Sequence, residues 1–286
     1  MANAPLLFWP GINGTADTIL DNLRLRVEKR YRRSVVIVQR AMPPNAFAYS
    51  FVEDNGTPVI ELASIWRPAG EVRATLIHEL LHLERRGRKL PVCYLERENE
   101  TVLPQIMDGQ LRELGLQITT LLEHSVIYEQ MRDFGLTPES ETVDTLGLLL
   151  NGATTVSGAN LPLPINAAIM QLQTMIELPQ TSYPDQVSAR LTSLGFGQSA
   201  QRARSAYALV QAERPTAPFK QAFLSYRIIE TLLDVDAALS FVSEKRGNIR
   251  YCAAVVRVGK AAVKRHHPFM LRLECACTFR SARAVF

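Results

Sequence analysis

The spacing of apolar residues changes once along this chain, near residue 103, and that change limits the fold more than any other feature. Before it, short β-branched runs alternate with amphipathic helices; after it, apolar residues recur at helical spacing as far as residue 233. Ile19, Leu20, Leu23 and Val27 predict a helix over Ala16–Arg30, with Thr15 or Asp17 as its cap. Ser34–Val38 reads as a strand. Phe47–Val52 and Pro58–Ala63 flank Asn55-Gly56, a strong hairpin signal, and Val59–Ala63 is expected at or near the sheet edge. The next helix opens at Pro68 or Ala69 with Glu71 in its first turn. It closes at Gly87 after Arg85 and Arg86, which suits the helix dipole. Later helices are expected at Pro104–Phe134, Glu139–Leu150, Ile165–Leu178, Asp185–Leu194, Ser199–Ala212 and Pro218–Leu233, punctuated by Pro and Gly. Tyr251–Val258 could add a late strand. The expected class is α+β: a small antiparallel sheet, then a mostly α-helical part.

Composition agrees with a folded chain. Of 286 residues, 47% are hydrophobic and 21% charged, enough for one large domain or two smaller ones. Met1-Ala2-Asn3-Ala4 lacks the basic start of an export signal, and no apolar run approaches the roughly 20 residues of a membrane helix. Four cysteines, Cys93, Cys252, Cys275 and Cys277, are too few and too late for a disulfide scaffold. They point to a reducing, cytoplasmic setting. The charge is uneven. Residues 245–286 hold ten basic residues against the single acid Glu274, a net +9, so the first 244 residues carry −5 of the overall +4. Such a tail could touch nucleic acid, although no nucleic-acid-binding motif is present; a solvated end is the simpler reading.

Chemistry concentrates at His78-Glu79-Leu80-Leu81-His82. Two histidines four residues apart on a helix share one face, one turn apart, so both imidazoles can reach one metal ion. Zinc accepts neutral imidazole nitrogens and keeps a position for water. Glu79 is placed to take that water's proton. Val72, Leu76, Leu80 and Leu83 form the apolar stripe that would bury the opposite side of this active-site helix.

The segment Thr75-Leu76-Ile77-His78-Glu79-Leu80-Leu81-His82-Leu83 resembles the extended signature of the zincin metallopeptidases, with a gluzincin-like core. Glu84 departs from the pattern, which usually has an apolar residue there. The resemblance covers roughly Ile19 to Phe134 and implies a zinc-dependent peptidase with Glu79 as general base. It also implies a cleft along an edge strand, here Val59–Ala63, on which a peptide or protein substrate would lie.

A catalytic zinc usually has three protein ligands. No histidine follows His82 within six residues, so the third must come from further along. His124 is the first candidate, since only five histidines exist and it alone lies outside both the motif and the tail. Glu129 is the alternative. Helical geometry sets it on the apolar face with Leu111, Ile118 and Leu122, and Glu129 and Asp133 have the Glu-x-x-x-Asp spacing of gluzincins, in which the aspartate supports a ligand histidine. Glu123 should project away from that face, and Glu84, Glu96, Glu98 and Glu100 should be solvated. Tyr128, one turn after His124, could stabilise an oxyanion but more simply packs at a core edge. His266-His267 with Cys275 and Cys277 lacks the spacing of a zinc knuckle.

These features divide the chain into a zincin-like core (1–135), a helical domain (136–244) and a basic tail (245–286). They predict a Zn2+-dependent hydrolase cleaving peptide bonds. The rivals are a non-catalytic or regulatory zinc-binding protein of zincin-like fold, and a structural helical protein with a coincidental motif.

Overall fold

A computed structural model describes residues 17–42, 47–64, 69–88, 92–96, 108–136, 143, 146–147, 149–151, 161–233, 238–245 and 248–257. Helix α1 (Thr18–Tyr31) starts at Asp17, whose carboxylate accepts the Leu20 N–H at 3.2 Å. Arg73 of the next helix pairs with the same carboxylate and holds it below the usual carboxylate range. Strands β1 (Val36–Arg40), β2 (Ala48–Val52) and β3 (Pro58–Ala63) form a sheet in the order β1-β3-β2. In the β2–β3 turn Gly56 takes φ 86°, which a side chain would resist, and its N–H donates to Glu53 O at 2.8 Å.

Two expectations about this sheet are corrected. It is mixed rather than antiparallel, since β1 runs parallel to β3 and only β2 opposes it. And β3 is central, not an edge strand. Pro58, Val59, Ile60 and Leu62 are all buried, so β3 is covered on both faces, whereas β2 alternates and exposes Tyr49 and Phe51, as an edge strand can.

Helix α2 (Ala69–Gly87) packs against β2 and β3 of this sheet. It is followed by β4 (Val92–Glu96), α3 (Asp108–Asp133), α4 (Leu163–Glu177), α5 (Tyr183–Ser193), α6 (Gly197–Glu213), α7 (Pro218–Leu233), β5 (Ala238–Lys245) and β6 (Asn248–Arg257). The expected helices match these closely; Glu139–Leu150 lies largely outside the described residues. Strands β4, β5 and β6 make a second, antiparallel sheet in that order. Strand β6 contains most of the late strand expected at Tyr251–Val258, while β4 and β5 were not foreseen. The basic segment therefore begins in a β-hairpin; residues 258–286, with His266, His267, Cys275 and Cys277, lie outside the described residues. The class is α+β, dominated by helix.

Two cores meet along α3. One joins Leu20, Leu23 and Val27 of α1, Ile60 of β3, Leu76, Ile77 and Leu80 of α2, and Ile127, Tyr128 and Met131 at the C-terminal end of α3. The other joins Leu114, Ile118 and Leu122, further toward the start of α3, to Leu172 and Ile176 of α4, Ala203 and Ala206 of α6 and Leu224 and Ile228 of α7. Packing therefore changes partner inside α3, near residues 122–127. Among the described residues no helix is long and apolar enough to cross a membrane.

Candidate metal centre

The change of packing partner falls where α2, α3 and α4 come together. Helix α2 is anchored by Leu76, Ile77, Leu80 and Leu83, each fully buried, and this fixes the direction of His78 and His82. Helix α3 brings His124 to the same point. The Nε2 atoms lie 3.0 Å (His78–His82), 3.3 Å (His78–His124) and 3.2 Å (His82–His124) apart. Tetrahedral metal bonds of about 2.0–2.1 Å would set two nitrogen ligands roughly 3.3 Å apart. The three imidazoles thus have the spacing of a metal-binding triad, and they are the one such His, Cys, Asp and Glu group among the described residues.

The other ring nitrogens support this. His82 Nδ1 meets Glu123 Oε2 at 2.8 Å, and His124 Nδ1 meets Glu177 Oε1 at 2.7 Å. An ionised carboxylate can only accept, so both Nδ1 atoms carry the hydrogen and both Nε2 lone pairs turn toward the centre. A carboxylate behind a histidine ligand fixes its tautomer and raises its basicity. The donor set therefore fits a metal ion that accepts imidazole nitrogen.

The charges agree. Burial, then His82 and His124, holds His78 well below the ordinary histidine value; burial, then His124, Arg86 and Arg85, does the same for His82, so both imidazoles are neutral near pH 7, the form a metal ion accepts. Burial also opposes the charged form of His124, but hydrogen bonding and charge from Glu177, with Glu123 and Glu79 behind, outweigh it and raise this group. Burial pushes Glu123 up against the pull of Arg86 and Arg85.

Glu79 lies on the next face of α2, beside His78, and is only 8% exposed. Burial raises its carboxyl, which favours proton uptake; the Ser50 hydroxyl and the Arg86 guanidinium act the other way. The Ser50 hydroxyl approaches Glu79 without the geometry of a full hydrogen bond. Arg86, one turn after His82, donates to Ser50 O and so ties the edge strand β2 to α2.

Several site expectations change. Glu129, the alternative third ligand, is not in the cluster: it is 41% exposed and pairs with Arg214 at 2.7 Å. Its predicted face assumed one packing partner along all of α3. Because the partner changes, the buried face rotates and leaves Glu129 at the surface. Asp133 is likewise exposed. Glu123, expected to project away from the apolar face of α3, is buried and points toward α2, where it meets His82. Glu84 is buried, not solvated, and bridges Arg26 at 3.1 Å and Arg88 at 3.2 Å. Tyr128 is 2% exposed and its ring lies 5.0 Å from His124 and 5.6 Å from His78, as a wall of the site. Glu98 and Glu100 lie outside the described residues. Sequence reasoning missed Glu177. The signal was present: it is the one charged residue in Leu163–Glu177, an apolar helix. A lone acid in such a setting needs a partner.

Comparison with family models, with curated proteins and with solved structures finds no match to the chain.

Proposed function

We propose that the chain is a zinc-dependent hydrolase of metallopeptidase type, with His78, His82 and His124 as zinc ligands and Glu79 as general base. The observation that carries this reading is the convergence of three imidazoles on one point beside a buried carboxylate of the same motif. Zinc bound there would polarise a carbonyl and acidify water. Glu79 as carboxylate would accept a proton from the attacking water and return it to the leaving amine nitrogen, so that water is added across the C–N bond and the carboxylate is regenerated. Its raised proton affinity suits that exchange.

The substrate strand would lie on β2, now that β3 has neighbours on both sides. Ala63 N–H donates to Phe47 O and Glu53 N–H to Thr57 O, so odd-numbered residues of β2 face β3. The main-chain groups of Ala48, Ser50 and Val52 therefore face outward. A peptide added there would use them in the manner of strand addition and would displace Arg86 from Ser50 O.

The test is Glu79→Gln in zinc-loaded protein assayed on peptide libraries. Loss of about 10²-fold or more in turnover with zinc content unchanged is expected; full activity would refute the role of Glu79. The near-complete burial of His82 and Glu79 (7% and 8% exposed) favours a second reading, a zinc-binding protein without turnover. That reading predicts stoichiometric zinc and no cleavage in the wild type.

A further inference from the structure

We propose that Glu177 is a positioning residue of the metal centre, so that the helical part of the chain forms one of its walls rather than an appendage. This rests on reading His78, His82 and His124 as metal ligands.

Glu177 is the last residue of α4. It is 2% exposed and sits between Ile176 and Leu178, which are 3% and 1% exposed. A carboxylate in such surroundings is costly unless every contact is used. Its contacts are specific. His124 Nδ1 lies 2.7 Å away, and Gln173 Nε2, one turn back, donates to both oxygens at 3.2 and 3.1 Å. Gln173 thus clamps the carboxylate while the carboxylate clamps the imidazole. With Nδ1–H committed to Glu177, the lone pair of His124 Nε2 has one direction, toward His78 and His82.

The position of Glu177 is set by the helical core. Leu172 and Ile176 of α4 pack in the same cluster as Leu121 and Leu122 of α3, immediately before His124. The distance between α4 and α3 therefore decides how His124 is held. Glu123 does for His82 what Glu177 does for His124, but from α3. Two of the three imidazoles are oriented from behind, by carboxylates on two different helices. Glu177 is the contribution that the motif-bearing half of the chain cannot make.

The experiment uses the full chain as wild type, Glu177→Ala, Glu177→Gln and His78→Ala. Three quantities are read: zinc affinity by competition with a chromophoric chelator, the visible spectrum of the cobalt(II)-loaded protein, and the melting temperature without metal. Loss of a supporting partner typically weakens metal affinity about 10–100-fold. Glu177→Ala is expected to fall in that range with a changed cobalt spectrum. Glu177→Gln keeps the shape and an acceptor oxygen but not the charge, and is expected near the lower end, about tenfold, with metal-free melting close to wild type. Wild-type affinity and spectrum in both variants would overturn the proposal, even with lowered melting, since that pattern marks a residue that only supports packing. Should the alanine variant not fold, the glutamine variant decides by the same criterion. A wild type that binds no zinc, or a His78→Ala variant that binds as well as wild type, would instead remove the metal centre itself, and the role of Glu177 with it.

Discussion

Helices α2 and α3 both supply the candidate metal centre, yet they do so by different means. Helix α2 lies within one core, and buried leucines of the same helix fix the direction of its two candidate ligand histidines, with Glu123 of α3 behind His82. Helix α3 passes from one core to the other, and its single candidate ligand is held by a residue 53 positions away. Their imidazoles differ in charge as well. Those of α2 are depressed by burial, while that of α3 is raised because Glu177 and its fellow carboxylates outweigh burial. A ligand pair inside one helix can be built from local sequence, whereas a ligand brought from elsewhere needs a scaffold to hold it.

The largest effect should come from removing one ligand from each helix. His82→Ala and His124→Ala should each abolish stoichiometric zinc, measured by mass spectrometry on protein without a His-tag. Zinc retained in His124→Ala would break the equivalence of the two helices and limit the centre to α2.

Next come the two cores. Leu80→Ala in α2 and Leu122→Ala in α3 each remove a fully buried side chain. Each should cost about 2–5 kcal/mol in thermal or denaturant unfolding. Because α3 belongs to both cores, both variants should shift one common transition. Two separable transitions would show that α3 does not couple them.

The opposite shifts of the imidazoles predict a pH dependence in metal-free protein. For His78 and His82 the folded value lies below the unfolded one, about 6.5. The unfolded state then binds more protons, so their contribution to stability is present above that pH and is lost as the pH falls. For His124 the folded value is raised, so its contribution is present below about pH 6.5 and is lost as the pH rises through the folded value. Below about pH 6.5 the His124 contribution is constant, so metal-free protein should lose stability on acidification through His78 and His82. His124→Gln should instead remove the loss of stability that accompanies rising pH above about 6.5. An unchanged profile above that pH in this variant would contradict the assignment of the raised group to α3.

The smallest effect is expected at Glu129. Its exposed pair with Arg214 should be worth about 0–1 kcal/mol, and Glu129→Ala should leave zinc content unchanged. A loss of zinc would return Glu129 to the ligand set in place of His124.

Much of this protein is determined by sequence alone, because the signals are local. Apolar residues at helical spacing marked α1, α2 and the later helices. Asn55-Gly56 marked the β2–β3 hairpin, since glycine meets the positive φ of that turn. The His-Glu-x-x-His spacing put two imidazoles on one face of α2, and the scarcity of histidine singled out His124. What only the tertiary structure decided depends on which element packs against which. The parallel pairing of β1 with β3 put the expected edge strand in the middle of its sheet. The change of core along α3 turned Glu129 outward and Glu123 toward His82. The packing of α4 on α3 carried Glu177 to His124 across 53 residues. The physical reason is the same in each case. Helical and turn geometry act over a few residues and can be read from their order, whereas a buried charge finds its partner through the shape of the whole core.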